Sequence, residues 1–325
     1  MRYESKCEVE SKINTMKKLA LLFSITLGIF ILSGCENQPV SDMETDLTEG
    51  VSIAEEEVYD FKASEATDED ISAARFGAHL FRGKMGISGS HKFFGKNFPP
   101  CATVSVSGDD FPKTITIDYA DGCSGRNGLE KKGLITIVMS DTILNPGASY
   151  TITMENMILG KREVSKSSTI TNEGQNEAGN WLMSIQSVST TSFEKKDESY
   201  VIVRENDMQR EWLSGFETPE HDDDQLLLSG ISLITVNDTI SFRREITEAL
   251  LIDRGCKYPL SGIVEITRNG EVMTINFGDG ECDNIAVITK DGESEEIDLD
   301  EGKFKNESGN SRNKRKNMKR KKGWW

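Results

Sequence analysis

Cysteines are the residues of this chain whose spacing most directly indicates chemistry. Four of the six cysteines fall into two similar settings, with Cys101 and Cys123 around one segment and Cys256 and Cys282 around another. A structural zinc site needs four ligands, usually in close pairs of the CxxC type, and that spacing is absent. We therefore predict disulfides at these positions and no metal site.

The sequence contains none of the common catalytic motifs. His79, His91 and His221 show no metal-binding spacing such as HExxH. The segment Gly86–Ser90 has the wrong order for the GxSxG nucleophile elbow, and no glycine-rich phosphate or dinucleotide motif occurs. A carbohydrate hydrolase needs only two facing carboxylates, and the chain has 54 acidic residues. We assign no catalytic residue and no cofactor, and we keep the hydrolase as an alternative.

One acidic loop has two interpretations. His221 is followed by Asp222, Asp223 and Asp224, whose oxygens are of the type that calcium prefers. Adjacent carboxylates do not all point one way, so a solvated loop tip explains the same residues. We keep both interpretations.

Alternating apolar and polar residues predict β-strands from Cys101 onward. Examples are residues 115–119, 150–154 and 273–277, in which every second residue is apolar. This pattern is typical of an antiparallel sheet with one covered face. Further strands are predicted near 132–140, 162–171, 181–193, 199–211, 226–236, 239–251, 262–268 and 285–290. The predicted fold class is all-β, with long antiparallel strands forming a sandwich or a curved sheet and one short N-terminal helix.

Two hairpins in this region resemble each other. Residues 116–123 read TIDYADGC, and residues 274–282 read TINFGDGEC. We interpret 101–140 and 256–290 as related hairpins, although common strand and turn residues can also converge. The residue that enters the first strand of a hairpin lies beside the residue that leaves the second. This geometry pairs Cys101 with Cys123, and Cys256 with Cys282.

The remaining segments are assigned by composition. Residues 36–66 are strongly acidic, and we predict that they form a flexible tether because they offer little apolar surface to bury. Thr67 and Asp70 have the spacing of a capping box, which predicts a helix over 67–83 before a glycine-rich loop over 84–100. The β domain spans 101–300, and a basic disordered tail spans 301–325.

Charge excludes one class of partner. The formal net charge is −16, and residues 36–302 contain 50 acidic and 23 basic residues, a charge of −27. Such a body repels the phosphate backbone, so we predict no nucleic-acid binding. The basic tail can lie on an anionic membrane, fold back on the acidic body, or be a non-native extension.

The N-terminus carries a targeting pattern. Met16-Lys17-Lys18 precedes the apolar run 19–32, which is shorter than the roughly 20 residues of a membrane-spanning helix. The run ends in Leu32-Ser33-Gly34-Cys35, which resembles the lipobox of bacterial lipoproteins. The resemblance implies a signal peptide over 1–35 and a Cys35 that carries diacylglycerol and palmitate. Glu4, Glu8 and Glu10 do not suit the cationic start of a signal peptide, so we expect translation from Met16.

Together these features resemble an uncharacterised group of all-β lipoproteins from Gram-negative bacteria. The resemblance implies a protein held in the outer membrane through lipid on Cys35, facing the periplasm or the cell surface. It brings no activity with it. The sequence predicts a binding or structural module with a protein or glycan partner, and the alternatives are a carbohydrate hydrolase using paired carboxylates and a lipid carrier on a curled sheet.

Overall fold

The computed structural model describes residues 41–80, 99, 101–108, 110–124, 128–218 and 221–300, and within the helix the side chains of residues 53 and 55–77. The described residues from Asp42 onward belong to one compact unit. The predicted signal peptide with Cys35, nearly all of the loop 84–100 and the tail 301–325 lie outside the described residues.

One long helix and fifteen strands make up the described fold. The helix α1 spans Ser41–Leu80. The strands are β1 Thr103–Ser107, β2 Lys113–Asp118, β3 Cys123–Ser124, β4 Glu130–Lys132, β5 Leu134–Met139, β6 Ser149–Leu159, β7 Arg162–Gln175, β8 Trp181–Lys195, β9 Glu198–Ser214, β10 Gln225–Val236, β11 Ile240–Asp253, β12 Ser261–Arg268, β13 Glu271–Asp279, β14 Ile285–Lys290 and β15 Glu293–Asp298.

All the strands belong to a single antiparallel sheet. Its path runs from β1 and β2 to β5 and then in chain order to β15, while β4 pairs with β3 and with β6. Tight turns make this meander possible: Asn269 and Gly270 between β12 and β13 both have positive φ, as two-residue hairpin turns require. The all-β prediction is confirmed, and of the two predicted architectures the single curved sheet is the one found.

The sheet curves around α1. Tyr59 donates a hydrogen bond to the carbonyl of Leu159 in β6, while Lys62 lies over the ring of Tyr258, beyond β11. Leu299, after β15, lines one groove together with Tyr59 and Gly160. Thirteen strands laid flat would span nearly 60 Å at about 4.8 Å each, whereas a helix is about 10–12 Å across. Only a curved sheet brings both of its halves to one helix.

Side chains of the inner face differ between the flanks and the middle of the sheet. One flank buries Ile117 of β2 and Ile135 of β5, and the other buries Ile275 of β13 and Ile288 of β14. These belong to the hydrophobic core, which also takes in Ile71 of the helix. In the middle, from β7 to β11, apolar residues such as Ile185 share the inner face with polar and charged ones such as Asn206 and Arg244.

The prediction of a flexible tether over 36–66 is wrong for its described part, because α1 begins at Ser41. The predicted helix start at Thr67 is wrong as well: Thr67 lies within the helix and donates to the carbonyls of Ala63 and Ser64. The tether prediction counted only apolar burial, whereas the carboxylates of this segment contact cations of the sheet. Within the described residues, no helix combines the length and the apolar character that crossing a membrane requires.

Candidate functional site

A row of polar side chains crosses the middle of the inner face. The register places Ser168 of β7 opposite Ser187 of β8, and Ser187 opposite Asn206 of β9. Asn206 faces Ser232 of β10, which faces Arg244 of β11. Opposite residues in an antiparallel pair lie about 5 Å apart, so these side chains form a continuous row.

A second row lies next to the first, two residues along each strand. It consists of Lys166 in β7, Ser189 in β8 and Arg204 in β9. The small serine of β8 therefore stands between two long cationic side chains. This arrangement leaves space above β8.

The helix supplies carboxylates to the cations of the sheet. Arg204 contacts Asp60 and lies 3.7 Å from Glu57, while Arg244 Nε donates to Glu57 over 2.5 Å. In each ion pair found between α1 and the sheet within the described residues, the helix provides the acid. These pairs are Glu55–Lys195, Glu56–Arg162, Glu57–Arg204, Glu57–Arg244, Asp60–Arg204, Glu65–Arg254, Asp68–Arg210, Asp68–Arg254 and Asp70–Lys131.

The guanidinium groups keep two buried carboxyls ionised. Burial raises the pKa of Glu57, but Arg244 and Arg204 outweigh it and lower the pKa below its ordinary value. Burial likewise opposes ionisation of Asp68, and its pKa is nevertheless held well below the usual range by Arg210 and Arg254. The helix is thus fixed to the sheet by charged groups.

Asp70 makes the most buried of these contacts. Both Asp70 and Lys131 are 1 % exposed, and the ammonium also donates to the carbonyl of Ala66 over 2.9 Å. Tyr119 donates its hydroxyl to the same carboxylate over 2.5 Å. Burial, together with the charge of Asp70, raises the pKa of Tyr119 well above its ordinary value. Tyr119 belongs to the TIDYADGC segment, so the first of the two related hairpins contacts the helix directly.

The first three residues of the acidic loop, His221–Asp223, form a short 3-10 turn. Arg254 donates a hydrogen bond to Nε2 of His221, so this nitrogen must be unprotonated to accept it. Burial, together with the charge of Arg254, lowers the pKa of His221 to about 3. Burial raises the pKa of Asp224 to about 6. No group of three or more metal-ligating side chains occurs among the described residues, so the structure gives the calcium interpretation no support.

Arg162 lies between two aromatic rings where β7 begins. Its guanidinium is 3.6 Å from the ring centre of Tyr59 and 4.0 Å from that of Phe193. It also makes two hydrogen bonds to the Glu56 carboxylate. A planar guanidinium suits this double role, in which it stacks on rings and pairs with a carboxylate in its own plane.

Two spaces adjoin the helix. A cavity of about 190 Å³ lies between α1 and strands β6 to β11, lined by Lys166, Ser187, Ser189 and Arg204 among others. A groove of about 490 Å³ lies where Tyr59 and Lys62 of α1 meet Arg162, Phe193 and Leu299. The lining of the cavity combines polar and charged groups of both elements with apolar side chains such as Ile202 and Leu226.

The predicted cysteine pairs are brought together. Cys101 and Cys123 form a disulfide with Cα atoms 5.6 Å apart, and Cys256 and Cys282 form another with Cα atoms 5.8 Å apart. Each closes the open end of a hairpin, β1–β2 or β12–β13, as the sequence predicts. The lipidation site Cys35 lies outside the described residues.

Sequence reasoning missed the cations of the inner face. In β9 the polar residues Arg204, Asn206 and Arg210 point inward, while Glu205 and Asp207 between them point outward. Both faces of the strand are polar, so alternation does not reveal which face is covered. The available signal was the run of helix carboxylates, which needed partners if that segment folded.

Comparisons with known proteins leave the site without a precedent. No family model matches the chain, and neither a curated protein nor a solved structure matches it significantly.

Proposed function

We propose that this chain is a membrane-anchored extracytoplasmic lipoprotein that acts as a binding or structural module. The observation that carries the proposal is that the inner face of the sheet is occupied by the chain itself. Helix α1 lies in the concavity, and its carboxylates contact Arg204, Arg210 and Arg244 there. A partner protein or glycan then meets the outer face and the turns.

Both alternative functions need an inner face of another kind. A lipid carrier requires a large, unoccupied apolar concavity, whereas α1 fills this one and pairs with Arg204 and Arg244 there. A carbohydrate hydrolase requires two facing carboxylates available to a sugar. Glu57 and Asp60 of the helix face the same guanidinium, Arg204, and are engaged by it.

The proposed location is the outer membrane, with Cys35 as the lipid-bearing residue. The lipobox Leu32-Ser33-Gly34-Cys35 supports it, and so do the two disulfides, because such bonds persist in oxidising compartments outside the cytoplasm. Several acyl chains on one residue hold a protein in a bilayer where a single chain dissociates.

The location is tested by fractionation and mass spectrometry. The membrane fraction should yield an acylated N-terminal peptide that begins at Cys35, and the Cys35→Ser protein should leave the membrane. A Cys35→Ser protein that stays fully membrane-bound contradicts the anchor.

The role is tested separately by native mass spectrometry of the Cys35→Ser protein. A module with a filled inner face should show the mass of the polypeptide alone. A carrier would retain a non-covalent lipid, and that result would reject the module.

A further inference from the structure

The last described residues lie at the wall of the groove beside α1. Leu299 is 5 % exposed and lines the groove, and its amide donates to the carbonyl of Asn284 over 2.8 Å. Tyr258 donates its hydroxyl to the Leu299 carbonyl over 2.6 Å, and Lys257 forms an ion pair with Asp300. These contacts fix the position from which the chain continues.

Apolar and aromatic side chains form much of the groove wall. They are Val58 and Tyr59 of α1, Phe193 of β8, and Leu299. The volume of about 490 Å³ is many times the roughly 30 Å³ share of one water molecule, so the groove has room for a large side chain. A wall of this composition suits an aromatic ring.

The charges of the groove nearly cancel. Three carboxylates and four cations line it, and Glu55 pairs with Lys195 while Glu56 pairs with Arg162. The strongly basic stretch 314–322 therefore finds no surplus of acid here. Residues 300–305 read DEGKFK, with two acidic and two basic residues, so this segment carries no net charge of its own.

Phe304 is the first large apolar residue after Leu299. Five residues extend over at most roughly 16–18 Å, whereas a compact space of about 490 Å³ is roughly 10 Å across. The ring can therefore reach every part of the groove. A group held on so short a linker has an effective concentration in the millimolar range, which favours it over a free partner.

We propose that residues 301–305 fold back across this groove and that the Phe304 side chain docks in it, against Tyr59, Phe193 and Leu299. The docked segment covers the end of the concavity where α1 meets the start of β7 and the end of β8. The groove is then an internal docking site for the chain's own C-terminal segment. The inference goes beyond the proposed function and does not depend on the lipid anchor.

Limited digestion with trypsin, followed by mass spectrometry, tests the docking in the full-length Cys35→Ser protein. Cleavage after Lys305 should be slow, because a protease cuts the undocked population of the segment. Phe304→Ser should accelerate this cleavage by about tenfold, the least that losing the burial of one phenylalanine should cost. Cleavage after Lys314 is the internal reference and should keep its rate.

A second variant changes the groove and leaves the tail intact. Phe193→Ala should also accelerate cleavage after Lys305, while circular dichroism shows a folded sheet. Tyr200→Ala removes the ring that stacks on Phe193 outside the groove lining, so it is the matched control and should be cut like the unaltered groove. The docking is rejected if neither Phe304→Ser nor Phe193→Ala accelerates the cleavage, or if protection disappears on dilution, which would identify a second copy as the occupant.

Discussion

At the scale of single residues, the fold depends on charges that are buried in pairs. Lys131 shows the logic: its ammonium reaches Asp70 and the Ala66 carbonyl in an environment that excludes water. A buried pair adds little stability compared with a well-packed apolar pair, but removing one member leaves the other charge unmatched. Such residues therefore specify where the helix lies more than they strengthen the fold.

Lys131→Met should lower the free energy of unfolding by about 3–5 kcal/mol, because Asp70 then stays buried without its cation. Adding Asp70→Asn should recover part of the loss, since Tyr119 can donate to the amide oxygen. Urea denaturation measures both changes. Lys132→Met, at the exposed neighbouring position, should change stability by less than about 0.5 kcal/mol; equal losses in the two single variants would disprove the role of the pair.

His221 and Asp224 should give opposite pH dependences. The pKa of folded His221 is about 3, below the ordinary 6.5, so between these values the unfolded chain binds the extra proton and His221 makes stability fall as pH falls. The pKa of folded Asp224 is about 6, above the ordinary 3.8, so in that window the folded chain binds the extra proton and Asp224 makes stability rise as pH falls.

Two variants separate these contributions. His221→Gln should lose less stability than the wild type between pH 6.5 and pH 4, and Asp224→Asn should lose more. Urea midpoints taken at several pH values across this range measure the slopes. Profiles parallel to that of the wild type in both variants would show that these groups titrate alike in the folded and unfolded chains.

At the scale of elements, the disulfides close two hairpins near opposite ends of the strand order. Their partners are 22 and 26 residues apart. In the chain-entropy account, loops of this size contribute roughly 3 kcal/mol each. Replacing Cys256 and Cys282 together by serine should therefore lower stability by about that amount in denaturant titrations. Peptide mapping without reduction should recover Cys101 with Cys123, and a Cys101–Cys256 peptide would contradict the hairpin geometry.

Most strands could be predicted from sequence because their alternation is local information. β2, β6 and β13 each present apolar residues to one side, and the structure buries that side. β15 was missed because Glu293, Glu295 and Glu296 dominate it and leave Ile297 as its buried apolar residue. Its strand conformation comes from pairing with β14 at the edge of the sheet.

The helix was the main failure of prediction, and its cause is not local. Residues 55–66 have no apolar face of ordinary width, and their many carboxylates led to the prediction of a solvated, flexible segment. Their stabilising partners, such as Arg204 and Arg244, lie more than 140 positions away along the chain. Composition describes what a segment can bury by itself and carries no information about the cations that a distant sheet presents to it. The disulfide pairing was predictable because both members of each pair lie within one hairpin.

At the scale of the whole molecule, the account describes a curved sheet closed over its own helix. The hydrophobic core extends from the flanks into the middle, where it includes Ile185 and Leu250. The cations of the middle pair with the segment that fills the concavity. From Ser41 onward, the segment that the sequence predicts to be a flexible tether is part of helix α1. The folded unit then begins close, along the chain, to the proposed lipid-bearing Cys35.

Hydrogen–deuterium exchange along α1 tests the central claim, which is that this acidic segment is a docked helix. Amides of residues 55–66 should be protected to the same degree as those of residues 67–77. Arg244→Met should reduce protection around Glu57, whereas Arg243→Met, which removes a half-exposed side chain paired with Glu245, should not. Exchange of residues 55–66 at the rate of an unstructured chain, with protection beginning only at Thr67, would contradict the account.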